Sequence, residues 1–213
     1  MKIFEEIVEL AKRSETLKRV GRSGWALAGV DNVRLESVGE HSFGTIMISL
    51  LISKALSDEG QPVDLSRVAE LAAIHDLPES TTSDIPRIPP EYGGEILREG
   101  KRDIEKQVIN LISKTYESFA AWLVNLWSAF SDEESLETRI VLAADIIDML
   151  VHANALETTG VSPLILDQFF VNSYPTIKKL ELEIVDEIFL KLYSEHVENA
   201  EKLGIELNQI VRK

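Results

Sequence analysis

The 213-residue chain contains no cysteine. Disulfides and thiolate metal sites are both excluded, so any metal must be held through nitrogen and oxygen. Basic residues are scarce beside acidic ones: 22 Lys and Arg against 36 Asp and Glu give a formal net charge of −14. That balance argues against a nucleic-acid polymer or an anionic membrane as the main partner. The deficit is uneven. Residues 1–40 carry seven basic and seven acidic side chains, so the other 15 basic and 29 acidic ones hold the whole imbalance. A small anion would approach the N-terminal part more easily than the rest. Long apolar runs are missing too. The longest, near Phe43–Ile52 and Phe119–Phe130, fall short of the roughly 20 residues that cross a bilayer. No alternating stretch is long enough for a sheet, and no repeat or low-complexity tract occurs. The opening MKIFEEIVELAKRSE is amphipathic and acid-rich, unlike a secretory signal or a transit peptide. The cytoplasm is the expected location.

What is present reads as one all-α domain over residues 1–213. A composition of 45% hydrophobic and 27% charged residues is ordinary for a folded chain, and the length suits a single core. Ile3, Phe4, Ile7, Val8, Leu10 and Ala11 follow the spacing of a helix with one buried face. A second helix is expected from about Glu40 to Leu56, before Gly60, Gln61 and Pro62, and a third from near Ser66 to His75–Asp76. Pro78, Pro86, Pro89, Pro90, Gly93 and Gly94 make residues 78–94 an irregular connection. Helices resume around Ile96–Tyr116 and Phe119–Phe130. Ser131-Asp132-Glu133-Glu134 reads as a capping box opening a helix that runs through Asp145 to about Leu156 and stops at Gly160. Ser162-Pro163 starts another, and Thr176–Leu203 is expected as a long final helix ended by Gly204.

Only four histidines occur: His41, His75, His152 and His196. His75 and Asp76 are adjacent, and neighbours on a helix point about 100° apart, which suits two cis positions of an octahedral metal. Glu79 shares their face if the helix persists that far. A His-Asp pair alone is common and is more often a simple hydrogen-bonding pair. Context strengthens it here. Glu40-His41-Ser42 opens an apolar helix, and Asp145 lies among apolar or small neighbours in Ala143-Ala144-Asp145-Ile146-Ile147, where a lone acid is costly to bury. The ordinary alternative for Asp145 is a hydrogen bond to backbone or arginine. Asp148 and His152 follow it on the same helical face, as supports or an alternative ligand set, or as packing.

These residues, in the order His41, His75–Asp76 and Asp145, resemble the HD-domain superfamily and its His … His-Asp … Asp metal site. Arg22-Ser23-Gly24-Trp25, Glu36-Ser37-Val38-Gly39-Glu40-His41-Ser42, and His75-Asp76-Leu77-Pro78-Glu79 with Asp84-Ile85-Pro86 resemble its 5′-deoxynucleotidase branch. The likeness covers a motif core of about 17–157, with a looser helical extension at 162–213. It implies a single-domain HD-type helical bundle that hydrolyses deoxynucleoside 5′-monophosphates with one divalent metal. Mixed N/O ligation admits Mn, Co, Ni, Fe or Zn. By the resemblance, His41, His75, Asp76 and Asp145 are the ligands, Glu79 activates or orients the water, and Asp84 assists with water or a sugar hydroxyl. Arg22 meets the phosphate, and Trp25 packs on the sugar and disfavours a ribose 2′-hydroxyl. Each outer role has a plainer alternative: a surface Arg22, a core Trp25, a solvated Glu79, an Asp84 that caps a turn. Where many relatives carry Lys or Gln shortly before the last aspartate, this chain has Leu142-Ala143-Ala144. A homodimer is implied by the same resemblance. Competing readings are an HD hydrolase for another nucleotide or phosphate ester, or a non-catalytic metal-bound nucleotide sensor. Arg139, Glu181 and Glu183 read as solvated helix faces.

Overall fold

In the computed structural model, residues 1–30, 34–86, 93–132 and 134–207 are described, with the Glu95 side chain left aside. Among the described residues ten α-helices carry the fold: α1 (Ile3–Leu17), α2 (Ser23–Leu27), α3 (Val38–Asp58), α4 (Leu65–Ile74), α5 (Glu79–Thr82), α6 (Gly94–Thr115), α7 (Ala120–Asp132), α8 (Leu136–Thr158), α9 (Pro163–Lys179) and α10 (Glu183–Lys202). Among the described residues there is no strand, only an isolated bridge between Gly21 and Ser37.

The centre is the pair α3 and α8, with α4 packed on both and α9 and α10 on the other side of α8. α8 is apolar nearly all round, as a helix buried between layers must be: Ile140, Val141, Ala143, Ala144, Ile146, Ile147, Leu150 and Ala153 are all buried. α3 brings small residues to this contact, with Thr45, Ser49 and Ser53 buried at every fourth position, so the two backbones approach closely. Both helices begin on side-chain caps. At α3 the Ser37 hydroxyl accepts from Glu40 N–H while the Glu40 carboxylate accepts from Ser37 N–H, a reciprocal box. At α8 Ser135 Oγ accepts from Thr138 N–H at 3.1 Å.

Several expectations are corrected here. The expected cap at Ser131 is displaced: Ser131 lies within α7 with its hydroxyl on the Trp127 carbonyl, and Ser135 takes the capping role. Glu133 of that expected box, like Pro89 and Pro90 of the connection, lies outside the described residues. Residues 78–94 are not wholly irregular, because Glu79–Thr82 turn as α5. The apolar side of α1 is not buried: Ile3, Phe4, Ile7, Val8 and Ala11 are exposed. Its inward face is Glu6, Leu10, Arg13 and Leu17, fastened by Glu6 accepting from Ser118 N–H and Arg13 donating to Thr81. The boundary expected at Thr176, between the helix from Ser162-Pro163 and the final one, falls later. α9 runs through Pro175 to Lys179, and α10 starts at Glu183. Buried Leu180 and Leu182 flank Glu181, whose φ of +51° breaks the helical path, and Arg139 donates to the Leu180 carbonyl at 3.0 Å. Arg139 is thereby a tether rather than a solvated face. Phe119–Phe130 divides: Trp127 is core and Trp122 is exposed. The stops at Gly160 and Gly204 are as expected. Both take positive φ, and Val161 and Ile205 N–H close on the carbonyls of Leu156 and Ala200.

Candidate metal centre

Four elements deliver the polar cluster. The capping box of α3 places His41 in that helix's first turn, where it is 0% exposed. α4 ends at Ile74, and the chain then tightens into three-residue turns, Leu77 N–H to Ile74 and Glu79 N–H to Asp76. The helix therefore does not persist to Glu79. His75 and Asp76 sit at its frayed end, and Glu79 opens α5. Asp145 comes from the middle of α8, with Ala143 and Ala144 small enough to let its backbone lie close to its neighbours.

His41 Nε2 lies 3.0 Å from Asp145 Oδ1 and 3.8 Å from Asp76 Oδ2, and His75 Nε2 lies 3.1 Å from the same Asp76 oxygen. His41, His75 and Asp145 can each offer one ligand atom, all within 4.8 Å of one another. The outer nitrogens are committed elsewhere. His75 Nδ1 faces the Ala72 carbonyl at 2.7 Å, which can only accept, so Nδ1 carries a proton and Nε2 is the nitrogen left to face the acids. His41 Nδ1 meets Asp148 Oδ2 at 2.7 Å. The buried atoms His75 Nε2 and Asp76 Oδ2 make no hydrogen bond. They face each other at 3.1 Å beside His41 Nε2 and Asp145, and this donor set of imidazole nitrogen and carboxylate oxygen fits a divalent ion.

Electrostatics agrees. Burial and the Arg22 charge oppose protonation of His41, but hydrogen bonds to Asp145 and Asp148 outweigh them and carry its pKa to about 10. Burial likewise opposes charging His75, and the Asp76 carboxylate overcomes it and raises the value. Asp76 is held well below the usual carboxylate range: burial opposes this, yet the charges of His75, His41 and Arg22 prevail. Such acid-rich surroundings favour a cation.

The remaining expected residues gather beside this cluster. Arg22 is brought in by backbone pairing, its N–H on the Glu36 carbonyl and Val38 N–H on Val20. Its guanidinium lies 3.9 Å from Asp84, and despite burial its charge is reinforced by Asp76, Asp145, Asp84 and Glu79. Asp84 accepts from both the N–H and the hydroxyl of Ser23, at 2.6 and 2.5 Å, and so pins the turn that carries Arg22. Trp25 is 2% exposed, packed against Phe169 and His152, with its indole N–H on Glu36 at 2.8 Å. Little of its ring is open to a sugar. Glu79 is 1% exposed; burial and then the Asp76 charge push its pKa up to about 7 against the pull of Lys101. Lys101 of α6 donates to Glu79 at 2.8 Å and stands 3.5 Å from Glu105. Lys101 and Glu105 carried no sequence signal, since they sit in an ordinary charged helix beyond the connection. His152 does not join the cluster; its Nδ1 stands 4.0 Å from Glu36. A second grouping, Glu36, His41 and Asp148, uses the other side of the His41 ring.

An all-helical bundle holding two histidines and two aspartates at the junction of its central helices defines a candidate metalloprotein. The HD domain family matches residues 14–185, and the chain belongs to that family. It is 26% identical over 171 residues to the 5′-deoxynucleotidase HDDC2 of Danio rerio, covering 80% of this chain and 79% of that one. It is also 26% identical to the protein of the same name from Dictyostelium discoideum, over 83% and 95% of the two chains. Among solved structures, a conserved hypothetical protein from Pyrococcus furiosus superposes with a TM-score of 0.70 at 27% identity, covering 88% of this chain and 99% of that one.

Proposed function

We propose that this chain is a divalent-metal-dependent phosphomonoesterase that hydrolyses deoxynucleoside 5′-monophosphates to deoxynucleosides and phosphate. The observation that carries the reading is the meeting of His41 Nε2, His75 Nε2, Asp76 and Asp145, with the Arg22 guanidinium inside the same acid field. In this reading His41, His75, Asp76 and Asp145 hold one ion, of the kinds Mn, Co, Ni, Fe or Zn that nitrogen and oxygen donors accept. Bound there, the ion supplies charge neutralisation at the phosphoryl oxygens and lowers the pKa of a water.

Arg22 pairs with the phosphate dianion, always charged and able to bind two of its oxygens. Asp84 holds the Arg22 turn and, through its remaining oxygen, orients the guanidinium. Glu79 takes a proton from the attacking water as the water oxygen bonds to phosphorus and the phosphorus–O5′ bond breaks, the departing O5′ takes up a proton from solvent, and a base poised near pH 7 suits that step. Trp25, with its ring covered, shapes the wall behind Arg22 rather than lying open to the sugar. The substrate class is supported by the relatives named as 5′-deoxynucleotidases at 26% identity. A homodimer and a cytoplasmic setting complete the reading; no helix is long and apolar enough to cross a membrane among the described residues.

The test is phosphate release by chelator-stripped protein supplied with Mn²⁺, Co²⁺, Ni²⁺, Zn²⁺ or Mg²⁺, on 2′-deoxy- and ribonucleoside 5′-mono-, di- and triphosphates. Release confined to deoxymonophosphates and dependent on metal supports the assignment. Metal binding without release from any of them sinks it, in favour of another ester or a nucleotide sensor.

A further inference from the structure

We propose that Asp148 and Gly44 act as a positioning pair for His41, with Gly44 providing the space in which the Asp148 carboxylate grips the ring. The proposal rests on the metal reading above.

The argument starts from Gly44. It lies inside α3, three residues after His41, and its φ is not positive, so the backbone does not call for glycine. A glycine in a helix interior is otherwise a cost relative to alanine. The reason for it is spatial. A Cβ built there would fall 1.8 Å from Asp148 Oδ1 and 2.6 Å from its Cγ, far inside contact distance. The missing side chain is thus occupied by a carboxylate reaching across from α8.

That carboxylate has one evident task. Its Oδ2 meets His41 Nδ1 at 2.7 Å, while Oδ1 rests over Gly44. Asp145 and Asp148 are three residues apart on one face of α8, and they approach opposite nitrogens of the same imidazole, Nε2 at 3.0 Å and Nδ1 at 2.7 Å. An ionised carboxylate can only accept, so Asp148 holds a proton on Nδ1, and Nε2 is the nitrogen turned toward His75, Asp76 and Asp145, where it would give its lone pair to a bound ion. His75 is fixed differently, by the Ala72 carbonyl of its own helix. The orientation of His41 depends instead on how closely α3 and α8 approach. Gly44 sets that approach.

The experiment measures Mn²⁺ affinity by titration calorimetry on the chelator-stripped full chain, with a thermal melt of each variant. Asp148→Ala is expected to weaken binding roughly 10- to 100-fold, the usual effect of losing a ligand's supporting partner. Asp148→Asn, whose amide oxygen still accepts from Nδ1, is expected to recover part of that loss. Gly44→Ala should weaken binding comparably, by displacing the carboxylate. The double variant Gly44→Ala/Asp148→Ala should bind no worse than Asp148→Ala alone, because the obstructing group is gone. Wild-type affinity in Asp148→Ala or in a folded Gly44→Ala, or additive losses in the double variant, would overturn the proposal. Should Gly44→Ala not fold, recovery of folding in the double variant supports it, and failure of the double variant to fold while Asp148→Ala folds overturns it. Absence of Mn²⁺ binding by the wild-type chain is a separate result, which removes the metal reading and this role together.

Discussion

Glu79 shows how the site is tuned by opposed influences. Burial and the Asp76 charge raise its pKa to about 7, and Lys101 at 2.8 Å restrains the rise. A base of this kind works only when ionised, so kcat/KM should fall as pH drops below about 7. Lys101→Met removes the restraining charge, and the acid limb of the pH–rate profile should move to higher pH; a limb that stays in place would show that Glu79 is not the titrating group. Glu79→Gln should lower kcat by about 10²–10⁴-fold, the usual contribution of a positioned acid or base, with Mn²⁺ affinity retained in calorimetry. The sequence brought Glu79 to the His-Asp pair on a continuing helix, whereas the chain reaches it through three-residue turns. The partner of Glu79 was not legible. Lys101 is 22 residues further on, across a connection whose path no local pattern predicts.

At the level of elements, the C-terminal helices are joined to α8 by a second buried polar cluster. His196 of α10 stacks on Phe170 and lies between Glu157 of α8, bound at Nδ1, and Asp167 of α9 at 3.3 Å from Nε2. Asn199 adds a bond to Glu157 at 2.7 Å. Removing the central ring opens a cavity beside Phe170 and takes a partner from Asp167 and from one oxygen of Glu157, so His196→Ala should cost about 3–5 kcal/mol in urea denaturation. Specific activity per folded molecule should be unchanged, because the cluster touches none of the residues around Asp145; a selective loss of activity would contradict this structural role. Helix existence was readable from apolar spacing for α3, α4, α6, α7 and α8. The place where α9 gives way to α10 was not. The final helix was expected to begin at Thr176, whereas the break falls at Glu181, where buried Leu180 and Leu182 and the Arg139 bond hold the chain. The inward face of α1 was misjudged for a related reason. Periodicity finds an apolar stripe, but Glu6 and Arg13 make the tertiary bonds that orient this helix.

For the molecule as a whole, ion binding should be visible as stability, since a ligand that binds only the folded state stabilises by RT ln(1 + [L]/Kd). At a free ion concentration one hundred times Kd the gain is about 2.7 kcal/mol. For a chain of this size that raises the melting temperature by roughly 5–11 °C, and chelator should reverse it. His75→Ala, which removes a buried candidate donor, should abolish the metal-dependent increment; retention of the full increment would place the ion elsewhere.

By itself the sequence determined the chemistry available: no thiolate, few histidines, an excess of acid, and an ordered His41, His75–Asp76 and Asp145 on helices whose apolar spacing buries them. These features are local, so composition and periodicity report them. Tertiary structure alone decided that the two nitrogens of His41 meet Asp145 and Asp148, that Asp148 grips His41 over Gly44, that Lys101 restrains Glu79, and that Trp25 is covered. Each of these depends on the closeness of helices remote in the chain, α3 with α8, α5 with α6, and α2 with α8 and α9. That closeness follows from packing the whole core, which no single stretch of sequence encodes.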